Sequence, residues 1–153
     1  MKVRALSPTM GAEVTGINLG VPLDKSMIGD LRAIWLEYQM IVIRAQDLTP
    51  TQQLGFAKTL GEPDIYPFLN GLDGFPMITE VLKREDETVN FGGVWHSDTT
   101  YQSCPPMATL LYAKELPPIG GDTLFANQYA AFERLSQPLR DVLEKLRAIN
   151  AAG

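Results

Sequence analysis

Apolar and polar positions alternate in two different rhythms along this chain, and the rhythm changes mark its elements. From Met1 to Leu23 the pattern is short and strand-like. Val3, Ala5 and Leu6 open it, and Ala12-Glu13-Val14-Thr15 alternates until Gly16 and Gly20 break the run. After Asp24 the period lengthens. Ile28, Leu31, Ile34, Trp35 and Tyr38 recur at helical spacing, with Asp30, Arg32 and Glu37 between them, which predicts an amphipathic helix. Met40-Ile41-Val42-Ile43 is short and mostly β-branched, as a buried strand requires. Thr49-Pro50-Thr51-Gln52 has the form of a capping box with proline at the first helical position. That helix should run to Leu60 and end at Gly61, where a left-handed residue is cheap.

The second half is less regular. Residues 61–75 are rich in Gly, Pro and Asn and read as loop. Met77 to Leu82, Met107 to Ala113 and Thr123 to Ala126 are strand candidates. The charge run from Lys83 to Glu87 reads as a solvated hairpin tip or loop. Gln128 to Leu135 and Pro138 to Ala148 read as helices, with Ser136 able to cap the second and Leu139, Val142, Leu143, Leu146 and Ile149 forming its stripe. Strands and helices do not alternate regularly, so a doubly wound parallel sheet is disfavoured. The expected class is mainly β, largely antiparallel, with flanking helices.

Composition narrows the function. The chain has 153 residues, 45% hydrophobic and 20% charged, which fits a folded globular domain rather than a disordered one. Thirteen Lys and Arg against 18 Asp and Glu give a net charge of −5, so no basic surface is offered to nucleic acid. No apolar run is long enough for a membrane helix, and no secretory signal pattern opens the chain. A single cysteine, Cys104, cannot form an internal disulfide, and the expected compartment is the cytoplasm. Beside Pro105 and Pro106 it reads as a buried, inert thiol in a structural turn.

The candidate chemistry lies in Val94-Trp95-His96-Ser97-Asp98-Thr99-Thr100-Tyr101, which holds the only histidine of the chain. On a strand, residues two apart share a face, so His96 and Asp98 would project together. An imidazole nitrogen and a carboxylate oxygen are two of the three ligands of the facial triad that holds non-haem Fe(II). The same tripeptide also suits an ordinary hydrogen-bonded pair, and a short motif alone does not choose between them.

Further segments bear on that choice. Trp-His-Ser-Asp-Thr-Thr-Tyr is followed by Pro105-Pro106 and then by Gly120-Gly121-Asp122-Thr123-Leu124-Phe125-Ala126-Asn127. Gly11 to Gly16, the strand ending at Arg44, Leu48 to Gln53 and Phe56 to Pro63 come before it in order. In this the chain resembles the taurine dioxygenase and 2,4-dichlorophenoxyacetate dioxygenase family, which are Fe(II)- and 2-oxoglutarate-dependent oxygenases. The resemblance implies a double-stranded β-helix, or jelly roll, with helices packed outside. In this chain that roll would be incomplete, with residues 1–153 forming the N-terminal part of a single dioxygenase domain.

The resemblance also implies roles. His96 and Asp98 match the first two iron ligands, and Thr123 matches the threonine that holds the distal carboxylate of 2-oxoglutarate. The implied reaction consumes O2, releases succinate and CO2, and hydroxylates a small organic substrate of sulfonate or carboxylate type. Tyr66, Trp95 and Tyr101 are the candidate pocket wall, though Trp95 and Tyr101 also suit an ordinary core. Tyr66 stands where taurine enzymes have a sulfonate-binding histidine, Leu69 where they have a tyrosine and Gly92 where they have an asparagine, which disfavours taurine itself. The family's third ligand, a second histidine, and an arginine for 2-oxoglutarate fall in its C-terminal half and have no counterpart here. Three readings follow: an enzyme portion, an inactive remnant that persists as a folded or dimerised domain, and a metal site completed across a homodimer. The expected partners are a small-molecule substrate and further copies of the chain.

Overall fold

The computed structural model describes residues 1–89 and 91–151. Its chain divides into two compact units. One combines Met1–Asp47 with Leu111–Ala148; the other combines Leu48–Leu110 with the residues from Ile149 onward.

The first unit is built around a three-stranded sheet in the order β1-β2-β3, with β1 Lys2–Ala5, β2 Ala12–Thr15 and β3 Ile41–Ile43. β1 and β2 pair antiparallel, with Val3 opposite Val14 and Ala5 opposite Ala12. β2 and β3 pair parallel, with Ala12 opposite Ile41. A parallel pair needs a crossover between its strands, and α1 (Lys25–Tyr38) supplies it, packing on β2 and β3. The Asp24 side chain caps α1 by accepting from the Met27 N–H. Ala12 and Val14 of β2 and Leu31 of α1 are buried together with Ile17 and Leu19. No strand partners the segment at Ile17 to Leu19 in that sheet, so Gln46 does the pairing. Its amide oxygen accepts from the Leu19 N–H at 2.8 Å, and its amide nitrogen donates to the Ile17 carbonyl at 3.1 Å. On the outer face the Glu13 carboxylate accepts from Arg4 on β1 at 2.8 Å and from Arg44, just past β3, at 3.0 Å.

Two short helices close this unit's chain, α3 (Gln128–Glu133) and α4 (Gln137–Leu143). The Asn127 side chain caps α3 and also donates to the Thr9 carbonyl. Ser136 occupies the cap position of α4, as read from the sequence, but makes no side-chain cap bond. α4 is shorter than its apolar stripe predicts and stops at Leu143. Leu139, Val142 and Leu146 of that stripe stand exposed, so no packing carries the helix further, and most helical stability comes from packing.

The second unit begins with α2 (Pro50–Leu60), whose Thr49–Gln52 capping box forms as expected. Gly61 ends it, but in extended backbone rather than the left-handed form predicted. α2 packs on β5 (Phe75–Thr79), which pairs antiparallel with β4 (Gly71–Leu72). Gly71 is required here, because a Cβ would collide with the backbone of Pro76.

The sheet content is smaller than the alternation predicts. Met107 to Ala113 and Thr123 to Ala126 do not form strands. A strand exists only through ladder partners, and among the described residues neither segment has one. The segment holding His96 and Asp98 is likewise turn and irregular chain. Cys104 is an exposed free thiol rather than a buried one, since none of its neighbours from Gln102 to Met107 is buried.

Candidate metal centre

His96 and Asp98 come together without the strand that the sequence predicts for them. Two local features replace it. Gly92 adopts φ 67°, and a Cβ there would lie 3.3 Å from the imidazole Cε1, so glycine lets the backbone fold close over the ring. Thr99 takes φ 51° directly after Asp98 and starts a turn closed by the Gln102 N–H on the Thr99 carbonyl at 3.0 Å. A left-handed conformation is uncommon for a β-branched residue and marks a local strain at this point of the loop.

The ring is oriented through its first nitrogen. Nδ1 lies 2.7 Å from the Val94 carbonyl oxygen, and a carbonyl only accepts, so the Nδ1 proton is assigned to this bond. Nε2 then faces Asp98 Oδ1 at 3.2 Å. In a neutral ring this sets a lone pair against an anionic oxygen, an arrangement that calls for a positive charge between them. A proton on Nε2 supplies one; a metal cation supplies another. Metal bonds of ~2.1 Å meeting near a right angle place neighbouring donor atoms ~3.0 Å apart, close to the separation found. The donor types, the spacing and the fixed tautomer therefore fit a divalent metal.

The other carboxylate oxygen is also engaged. Asp98 Oδ2 accepts from the Thr109 hydroxyl at 2.8 Å. The pair is open to solvent, with the side chains of His96 and Asp98 50% and 55% exposed. Among the described residues, no group of three or more His, Cys, Asp or Glu side chains that could hold a metal ion is found, and His96 and Asp98 stand as a pair.

The predicted pocket residues separate. Tyr66 and Tyr101 are joined through Phe68, which packs edge-on to Tyr66 at 5.6 Å and tilted to Tyr101 at 5.9 Å. The Tyr101 hydroxyl is buried and has no hydrogen-bond partner among the described residues. Trp95 stands apart from this trio and is 70% exposed. Thr123 is exposed and belongs to the first unit, following Gly120 and Gly121, both at positive φ. Sequence reasoning missed Phe68, although its spacing two residues from Tyr66 was a signal. It also missed Thr109, a polar position inside an apolar run with nothing local to mark it.

Comparison with known proteins identifies the family of the chain. The sequence model of the taurine catabolism dioxygenase TauD, TfdA family matches residues 2–153. The chain therefore belongs to that family. It is 32% identical over 152 residues to an alpha-ketoglutarate-dependent sulfate ester dioxygenase of Pseudomonas putida, covering 99% of this chain and 50% of the relative. It is 33% identical over 149 residues to an (S)-phenoxypropionate/alpha-ketoglutarate-dioxygenase of Sphingobium herbicidovorans, covering 95% and 52%. The crystal structure of a taurine dioxygenase from Burkholderia xenovorans superposes with a TM-score of 0.79 at 33% identity, covering 94% of this chain and 51% of that one. The chain thus spans about half the length of the curated relatives it matches. Among the described residues no helix is long and apolar enough to cross a membrane.

Proposed function

We propose that this chain is part of an Fe(II)- and 2-oxoglutarate-dependent dioxygenase domain of jelly-roll type that hydroxylates a small organic substrate. The observation that carries the reading is the His96 Nε2–Asp98 Oδ1 approach of 3.2 Å, within a chain that matches the family over nearly its whole length.

Each residue has a definite task. The Val94 carbonyl holds the His96 ring so that Nε2 points at the metal position. Asp98 supplies the anionic ligand. Thr123 donates its hydroxyl to the distal carboxylate of 2-oxoglutarate. Tyr66 and Tyr101, joined through Phe68, form an apolar wall against the substrate, with the unpaired Tyr101 hydroxyl as a polar handle within it, and Trp95 faces the substrate apart from them. When bound, Fe(II) supplies the site at which O2 is reduced while 2-oxoglutarate is oxidised to succinate and CO2. The third protein ligand and the arginine for 2-oxoglutarate belong to the part of the family domain that this chain does not match. The curated relatives act on a sulfate ester and on a phenoxypropionate, and an anionic substrate of sulfonate, sulfate ester or carboxylate type is the class to expect. The enzyme reading is preferred to a catalytically inactive remnant because His96 Nε2 and Asp98 Oδ1 approach to 3.2 Å. Self-association and a cytoplasmic location belong to the same proposal.

The test is succinate release from 2-oxoglutarate by a domain extended to family length. Turnover should require Fe(II), and His96→Ala or Asp98→Ala should lower it by more than the ~10–100-fold usual for losing a ligand's hydrogen-bond partner. Undiminished turnover in either variant removes the ligand assignment. Succinate release by the 153-residue chain alone would show that two ligands suffice.

A further inference from the structure

We propose that Thr109 is a positioning residue for the metal, holding Asp98 as a one-oxygen ligand. This rests on the metal reading of His96 and Asp98 given above.

A carboxylate next to a metal has two ways to bind. It can use one oxygen, or it can swing and use both. The second mode fills an extra coordination position, whereas a facial site works by keeping three positions open for co-substrate and O2. Nothing on the backbone near Asp98 selects between the modes. The side chain is 55% exposed and follows an irregular segment, so it is free to rotate unless something holds it. Among the described residues the contact that does so is the Thr109 hydroxyl, 2.8 Å from Oδ2. With Oδ2 accepting that bond, Oδ1 is the oxygen left facing His96 Nε2 at 3.2 Å. The donor is neutral and the acceptor ionised, which makes the bond charge-assisted.

Thr109 is itself placed for this. It follows the Pro105-Pro106 pair, whose backbone has restricted freedom. Two residues before it, the methyl of Met107 lies over Gly61 at the end of α2, where a Cβ would come within 3.3 Å. Threonine at this position therefore does for the carboxylate what the Val94 carbonyl does for the imidazole.

The single histidine of the chain makes the test direct. Its imidazole Cε1–H gives one assignable proton NMR signal, and Mn(II) bound at Nε2 broadens it. Mn(II) is titrated into the unaltered chain, Thr109→Val, Thr109→Ser and Asp98→Ala. The expected result is an apparent dissociation constant raised about tenfold or more in Thr109→Val, the scale of losing a ligand's hydrogen-bond partner, with Thr109→Ser matching the unaltered chain. The site of substitution is exposed, and an unchanged amide spectrum for β1 to β3 confirms that the fold stands. A Thr109→Val titration that overlays the unaltered one overturns the proposal while leaving the metal site in place, provided Asp98→Ala is weakened. A serine variant as weak as valine also overturns it, because the hydroxyl is then not the cause. If Asp98→Ala and the unaltered chain titrate alike, the metal reading falls and this proposal falls with it.

Discussion

The residues up to Leu60 and the residues after it contain similar apolar side chains but use them differently. Among the described residues every buried hydrophobic side chain lies between Ala12 and Phe56. Beyond that point Val81, Leu82, Trp95, Leu111, Leu116, Ile119, Leu124 and Phe125 all stand more than half exposed. The difference follows from how far each segment must reach for a partner. β1 finds β2 within a few residues, and β2 finds β3 across one helix, so the pattern closes locally. The strand-like segments at Met107 to Ala113 and Thr123 to Ala126 find no ladder partner among the described residues. An apolar segment without a partner stays in water, and exposed apolar surface on this scale marks a face that something else covers. The relatives, about twice as long, show that this family's domain has more chain with which to do so. His96 and Asp98 lie in the open region, which accounts for their solvent exposure.

Removing the same side chain from each region separates the two most sharply. Leu31 is 1% exposed and Leu116 is 73% exposed. Leu31→Ala leaves a cavity between α1 and the sheet and should cost about 2–5 kcal/mol of stability. Leu116→Ala removes a side chain already in water and should change stability by no more than about 0.5 kcal/mol. Urea denaturation of the two variants reads both. Equal losses would mean that Leu116 is covered in solution.

This contrast also explains what could be read in advance. The Thr49–Gln52 cap, α1 and β3 are specified by residues within a turn or two of one another, and each forms where its pattern places it. His96 and Asp98 are legible as a pair from their side-chain types and their spacing of two positions. Their setting is not. It depends on Gly92 folding over the ring and on Thr109, eleven residues downstream, and neither leaves a periodic trace. The failed strands at Met107 and Thr123 show the converse case. Alternation reports what a segment can do when a neighbour is present, and it carries no information about whether the neighbour is there. The parallel pairing of β2 with β3 was missed for a related reason, since strand direction is set by the crossover helix and not by either strand.

A smaller effect is expected at the start of α2, the last helix of the first region. Thr49 accepts from the Gln52 N–H, and the Gln52 side chain bonds back to the Thr49 N–H at 2.9 Å. Thr49→Ala removes the hydroxyl half of this box and should cost ~1 kcal/mol, within a range of about 0.5–2. Because α2 also packs on β5 and its Phe56 is buried, the helix should fray at its first turn without unfolding. Amide exchange should therefore quicken at Thr51 to Gln53 and stay slow at Phe56. Equal acceleration at both places would mean that the second unit depends on the cap more than on its packing.

The smallest effect belongs to the outer face of the closed region. One oxygen of Glu13 accepts from both Arg44 and Arg4, and these bonds, Arg44 first, hold its carboxyl below the ordinary glutamate range. The folded state thus gives up this proton more readily than the unfolded state does. The stabilisation is complete above the unfolded value, ~4.3 for glutamate, and is lost as pH falls through the lower folded value. Both arginines are well exposed, so water and salt screen the interaction. Glu13→Gln should leave stability near neutral pH slightly lower and should flatten the acid side of the stability–pH curve relative to the unaltered chain. Raising the salt concentration should narrow the gap between the two curves. If the two acid limbs coincide at low salt, the three-strand cluster contributes nothing measurable, and the closed region is held by its buried apolar face alone.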